Sequence, residues 1–95
     1  MARRITWADP AWEDLESAAD YIKRDSPNYA AAFVQEVRLA VESLSEFAER
    51  GQVVLEFRDP TIRELLVRPF RIVYQISSDE VHKVAMVHGS RRLRR

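Results

Sequence analysis

At 95 residues the chain favours a single domain, and its 15 Lys and Arg balance its 15 Asp and Glu to a net charge of zero. It contains no cysteine, so disulfides and thiolate metal sites are excluded and a reducing cytoplasm is the natural setting. No apolar run approaches the ~20 residues of a membrane span, and MARRITWADP puts no apolar segment behind its two arginines, so no secretory signal is expected.

Residues 3–7, RRITW, read as a short strand. Asp9-Pro10 then starts a helix over 10–24: Asp caps free N–H groups and Pro suits the first helical position. Ala11, Trp12, Leu15, Ala18, Ala19 and Ile22 recur at three- and four-residue steps, which makes that helix amphipathic. Asp25-Ser26-Pro27 ends it and caps a second helix over 27–49. The apolar stripe of this helix is Ala30, Phe33, Val37, Val41, Leu44 and Phe47, and Gly51 is its expected C-terminal stop. So short a link between the helices implies an antiparallel hairpin that needs a second layer.

The segment QVVLEFRDP, 52–60, fits either a short strand or an anchored loop. Strands follow at 62–67, 70–76 and 81–88, and Arg91-Arg92-Leu93-Arg94-Arg95 closes a basic tail over 89–95. Pro69 cannot donate to a ladder and so belongs in the turn between the first two of these strands. Ser77-Ser78-Asp79-Glu80 makes the next turn. The fold class is therefore α+β: an N-terminal antiparallel helical hairpin on one face of a small, mostly antiparallel four-stranded sheet.

Two-residue turns at Arg68-Pro69 and Ser78-Asp79 set a register. One face then carries Leu65, Val67, Phe70, Ile72, Tyr74, Ile76, Val81, Ala85 and Val87, and the helices belong there. The other face carries Glu64, Leu66, Arg71, Val73, Gln75, His82, Val84, Met86 and His88. In this register Arg71 stands opposite Met86 and diagonal to His88, within reach of a shared anion. The bland alternative is that Arg71 pairs with Glu64 or Gln75 and that His88 merely ends a strand.

Charge is unevenly spread. Residues 8–50 hold ten acidic and four basic side chains, and residues 61–95 hold three acidic and eight basic. Thirteen of the fifteen basic residues are arginine, which suits bidentate contact with phosphate or carboxylate. The basic half is expected to seek anions, through Arg63, Arg68, Arg71, Arg91 and Arg92. No cofactor and no metal site are expected.

The helix DLESAADYIKRDSP, the AAAFVQEV helix, the GQVVLEF segment, IRELLV, FRIVYQI and the closing VHGSRRL together resemble the RelE/ParE superfamily of bacterial toxins from type II toxin–antitoxin systems. The resemblance runs from Trp7 to Leu93, and it rests on the order and spacing of the pieces. It implies a helical hairpin on a small antiparallel sheet, a growth-inhibiting toxin of the cytoplasm, often associated with plasmid stabilisation, and a cognate antitoxin bound in a hetero-oligomer. Trp7, Trp12, Leu66 and Met86 are candidates for that contact, with core filling as their alternative.

The superfamily holds two unlike activities: ParE-like members poison DNA gyrase, whereas RelE-like members cleave mRNA on the ribosome. For cleavage, Glu56, His88 and Arg71 match the acid–base residues and arginine of one nuclease branch, and Arg63 is placed to hold a neighbouring phosphate. Gly89, however, stands where that branch has a stacking aromatic residue. The 50–60 region also lacks the lysine pair of another branch. The HGSRR ending and the IRELLV-x-PFRIVY pattern look more like ParE. Three readings stay open: a ParE-like gyrase poison, which the pattern favours, a ribosome-dependent endoribonuclease, and an inactive antitoxin-binding relative.

Overall fold

A strand, a helical hairpin and a four-strand meander form two layers. The computed structural model describes residues 2–88 apart from the side chains of Asp9, Trp12, Lys83 and His88, so the basic tail 89–95 lies outside the described residues. The elements are β1 (Arg4–Trp7), α1 (Asp9–Lys23), α2 (Pro27–Ser43), a 3-10 turn (Ala48–Arg50), β2 (Gln52–Val53), β3 (Ile62–Val67), β4 (Phe70–Ile76) and β5 (Glu80–His88). Among the described residues the sheet has five strands in the order β1-β5-β4-β3-β2. All neighbours are antiparallel except β1 and β5, which run parallel. The fifth strand is β2, which the sequence left open between strand and loop.

The helix boundaries follow local chemistry, with two departures from expectation. Ser26 caps α2, its hydroxyl accepting from the Tyr29 N–H at 3.3 Å, and Pro27 opens the helix. In α1 the cap is Ala8, and Asp9 and Pro10 already lie inside the first turn. α2 stops at Ser43, six residues early. The Ser43 hydroxyl donates to the Ala40 carbonyl at 2.6 Å, and the Leu44 N–H turns to the Val41 carbonyl, which tightens the last turn. Phe47 therefore leaves the stripe and is exposed, while Leu44 remains buried.

The core lies between the hairpin and one sheet face. Leu15 and Ala18 of α1 and Phe33, Val37 and Val41 of α2 meet Val67, Ile72, Tyr74, Val81, Val84 and Met86. Phe33 stacks on Phe70 at 5.7 Å between ring centroids, tilted by 49°, which ties α2 to the start of β4.

The β3–β4 hairpin has the expected register, Val67 facing Phe70 across Arg68-Pro69, and Ile76 faces Val81 at the next turn. Beyond that point β5 departs. Gln75 pairs with His82 but Val73 pairs with Ala85, so β5 spends one extra residue opposite Tyr74. The same residue is extra against β1, where Ile5 faces Val81 and Trp7 faces Val84. This is a β-bulge, and it reverses the facing of everything after it. Val84 and Met86, expected on the outer face, are core residues, while Ala85 and Val87, expected in the core, are half-buried on the other side.

Candidate functional site

Arg71 is at the centre of the outer face. It alternates with Phe70 and Ile72, both turned to the helices, so its own side chain leaves on the side away from them. It is nevertheless buried, because the 54–61 loop folds over that face and brings Glu56 to it. Val54 anchors the loop: its side chain is buried and its N–H donates to the Ile62 carbonyl. At the far end the Asp59 carboxylate accepts from the N–H and hydroxyl of Thr61, at 2.9 and 2.7 Å.

All three guanidinium nitrogens of Arg71 are engaged. Nη1 and Nη2 donate to the two oxygens of Glu56 at 3.0 and 3.2 Å, a bidentate fork. Nε donates to Glu64 Oε2 at 3.0 Å, and Nη2 reaches the same oxygen. Glu64 lies two β3 residues before Leu66, the cross-strand partner of Arg71, and so on the same face. The hydrogen bonds to Glu56, then to Glu64, push the arginine pKa further up, against the lowering effect of burial. Arg71 is therefore a fixed countercharge and not a general acid.

The other candidates do not converge on it. Arg63 pairs with Tyr74 in the register and so lies on the helix-side face, opposite to Arg71. Its Nη1 donates to the carbonyls of Glu49 and Gly51 at 3.1 and 2.9 Å, and its Nε to the Pro60 carbonyl at 3.2 Å. Arg63 thus closes the 48–62 connection on main-chain oxygens. Arg68 is exposed at the hairpin turn. The register sets Val87 opposite Arg71 and position 88 opposite Phe70, because of the bulge. The His88 side chain, Arg91 and Arg92 lie outside the described residues, as does the side chain of Trp12.

Sequence reasoning missed the tether between Gly51 and Tyr74. The Tyr74 phenol is buried, donates to the Ala48 carbonyl at 2.7 Å and accepts from the Gly51 N–H at 3.0 Å. Burial is the first cause that raises its pKa above 10.0. The only signal in the sequence was a tyrosine at a core position, where a hydroxyl needs a partner.

Beside the cluster, Leu55, next to Glu56 in the loop, and Leu66, opposite Arg71 in the register, are 87% and 61% exposed. Of the other residues proposed for partner contact, Trp7 is half-buried and Met86 is buried. Among the described residues no group of three His, Asp or Glu is placed to hold a metal ion, and no helix is long and apolar enough to cross a membrane.

A family model described as the ParE toxin of a type II toxin–antitoxin system, parDE, matches residues 5–93. Toxin RelE2 of Caulobacter vibrioides is 34% identical over 89 residues, covering 93% of this chain and 97% of the relative. A putative toxin of Sinorhizobium fredii, Y4kP, is 34% identical over 89 residues, covering 92% and 88%. A solved structure, the chromosomal ParDE TA system from P. aeruginosa, superposes with a TM-score of 0.73 at 23% identity, over 92% of this chain and 96% of that one. At that identity the last comparison speaks to fold: two helices on a mostly antiparallel sheet.

Proposed function

Since the chain belongs to the ParE toxin family and is a toxin of a type II toxin–antitoxin system, we propose that it inhibits bacterial growth by poisoning DNA gyrase, without a catalytic step of its own, and that a cognate antitoxin neutralises it.

One observation carries the non-catalytic reading: the arginine a nuclease needs is already spent. To receive a phosphate, Arg71 has to give up a bidentate carboxylate and a second one beside it. A group that stabilises developing charge has to stand ready, aimed at the reacting atoms. The strand register supports the same reading, since the bulge pairs position 88 with Phe70, where the unbulged register set it diagonal to Arg71. The Glu56–Arg71–Glu64 cluster then works as a brace that holds the 54–61 loop and its exposed Leu55 in place. Braced apolar residues beside exposed arginines suit docking on a large protein or its nucleic-acid complex.

The test is a supercoiling assay with purified gyrase and purified toxin. Inhibition of supercoiling, or accumulation of cleaved DNA, is the expected outcome. Gyrase left fully active, together with mRNA cut during in vitro translation and loss of that cutting in His88→Ala, overturns the reading in favour of the endoribonuclease.

A further inference from the structure

The 54–61 loop is pinned at several points and bare between them. Val54 is buried and its N–H donates to the Ile62 carbonyl. Glu56 is forked on Arg71, the Asp59 carboxylate accepts from Thr61, and the Ile62 N–H donates to the Asp59 carbonyl. The Phe57 N–H closes a turn on the Val54 carbonyl at 3.3 Å, with Leu55 and Glu56 at its corners. Two side chains take no part in this holding. Leu55 is the most exposed large apolar side chain among the described residues. Arg58 is exposed, and its guanidinium makes no hydrogen bond or ion pair among them.

Arg58 also has a φ of 52°, the left-handed region, where a Cβ crowds the following carbonyl. Glycine takes that conformation without the clash. The anchors impose it here: Glu56, two residues before, and Asp59, one residue after, are both pinned. Backbone strain that neighbours over-determine collects at binding and switch surfaces. On the reading that gyrase is the target, we infer that Leu55 and Arg58 are the residues by which this loop grips the gyrase protein. Leu55 enters an apolar pocket, and Arg58 forks onto a carboxylate at its rim. The charges of the loop favour a protein surface over DNA. Residues 55–59 carry Glu56, Arg58 and Asp59, two negative to one positive. With Glu56 neutralised by Arg71, no net cation is left to attract a phosphate backbone. Leu55 likewise has nothing apolar to pack on along such a backbone. A loop already held in its working shape loses little freedom on docking, which favours binding.

The experiment compares purified wild type, Leu55→Asp and Arg58→Gly in gyrase supercoiling, with thermal melts alongside. Leu55→Asp should raise the inhibitory concentration about tenfold or more with the melt unchanged. Arg58→Gly should do the same while its melting midpoint stays level or rises by up to about 4 °C, since the glycine relieves the backbone. Greater stability together with weaker inhibition is a result that a purely structural role does not give. Wild type that inhibits gyrase no better than both variants overturns the inference and leaves the gyrase reading standing. If only Arg58→Gly loses inhibition, and binding to duplex DNA falls with it, the contact is with nucleic acid and the inference is overturned. Wild type that stops growth on induction but leaves gyrase active ends the gyrase reading. The loop is then decided by growth inhibition at equal soluble toxin, and variants as toxic as wild type overturn its role.

Discussion

The Tyr74 hydroxyl occupies the space that a side chain on Gly51 would need. A Cβ built on Gly51 falls 2.3 Å from that oxygen and 2.7 Å from the Glu64 carbonyl oxygen. Gly51 has a φ of −74°, which any residue adopts, so its requirement is one of space and not of backbone freedom.

Gly51→Ala is accordingly expected to destabilise by about 2–3 kcal/mol, because the close carbonyl belongs to the β3 backbone and cannot rotate away. Urea denaturation measures it. In an unconstrained site the same change stabilises slightly through the unfolded chain. The sign of the change therefore decides between a tight approach and an ordinary turn. Adding Tyr74→Phe should recover part of the loss.

By itself Tyr74→Phe strands the Gly51 N–H and the Ala48 carbonyl, at a cost of about 1–3 kcal/mol. It also removes a pH dependence. The folded phenol titrates above the unfolded value of 10.0. The tyrosine's contribution is whole below that pH and is lost as pH rises through the folded pKa, since the unfolded chain releases its proton first. Thermal melts between pH 9 and pH 11 should fall more steeply for wild type than for Tyr74→Phe, and parallel curves would contradict the burial of the hydroxyl.

Arg71→Met leaves two carboxylates in a partly buried place with their shared cation gone. A loss of about 3–5 kcal/mol is expected. The triple change with Glu56→Gln and Glu64→Gln should return much of it. Arg71→Lys should also be costly, since an ammonium cannot fork to Glu56 and reach Glu64 together. If the single variant melts like wild type, the brace is not holding the loop.

The β5 bulge predicts which of two neighbours matters. Met86→Glu puts a charge into the core and should unfold the chain or cost more than about 4 kcal/mol. Val87→Glu, one residue on, should cost about 1 kcal/mol or less. A reversed order in circular dichroism melts would restore the register without the bulge.

Arg63→Ala removes three main-chain hydrogen bonds and should cost about 1–3 kcal/mol. Growth inhibition per folded molecule should be unchanged. If inhibition instead falls well beyond the folded fraction, Arg63 touches the target.

Much of the architecture was legible because it is local. Ala11, Leu15 and Ala18 of the first stripe, Ala30 to Leu44 of the second, the Ser26-Pro27 start and the Val67–Phe70 hairpin each rest on residues close in sequence, and each stands in the structure. The outer position of Arg71, and Glu64 among its possible partners, followed from strand alternation alone. The carboxylate of Glu56 did not, because it reaches Arg71 through a loop whose path nothing in its own residues dictates. Arg63 likewise shares a strand with residues of either face and declares its task only once the carbonyls of Glu49, Gly51 and Pro60 are beside it.

What the amino-acid order determined by itself was a hairpin of amphipathic helices, a meander of strands and the family resemblance that comes with them. What only the tertiary structure decided was the facing of β5. Val84, Ala85, Met86 and Val87 are all apolar, so period-two alternation has no polar mark by which to choose between the two registers. The choice falls to packing: the space beneath the helices accepts Val84 and Met86, and one extra residue opposite Tyr74 lets β5 supply them.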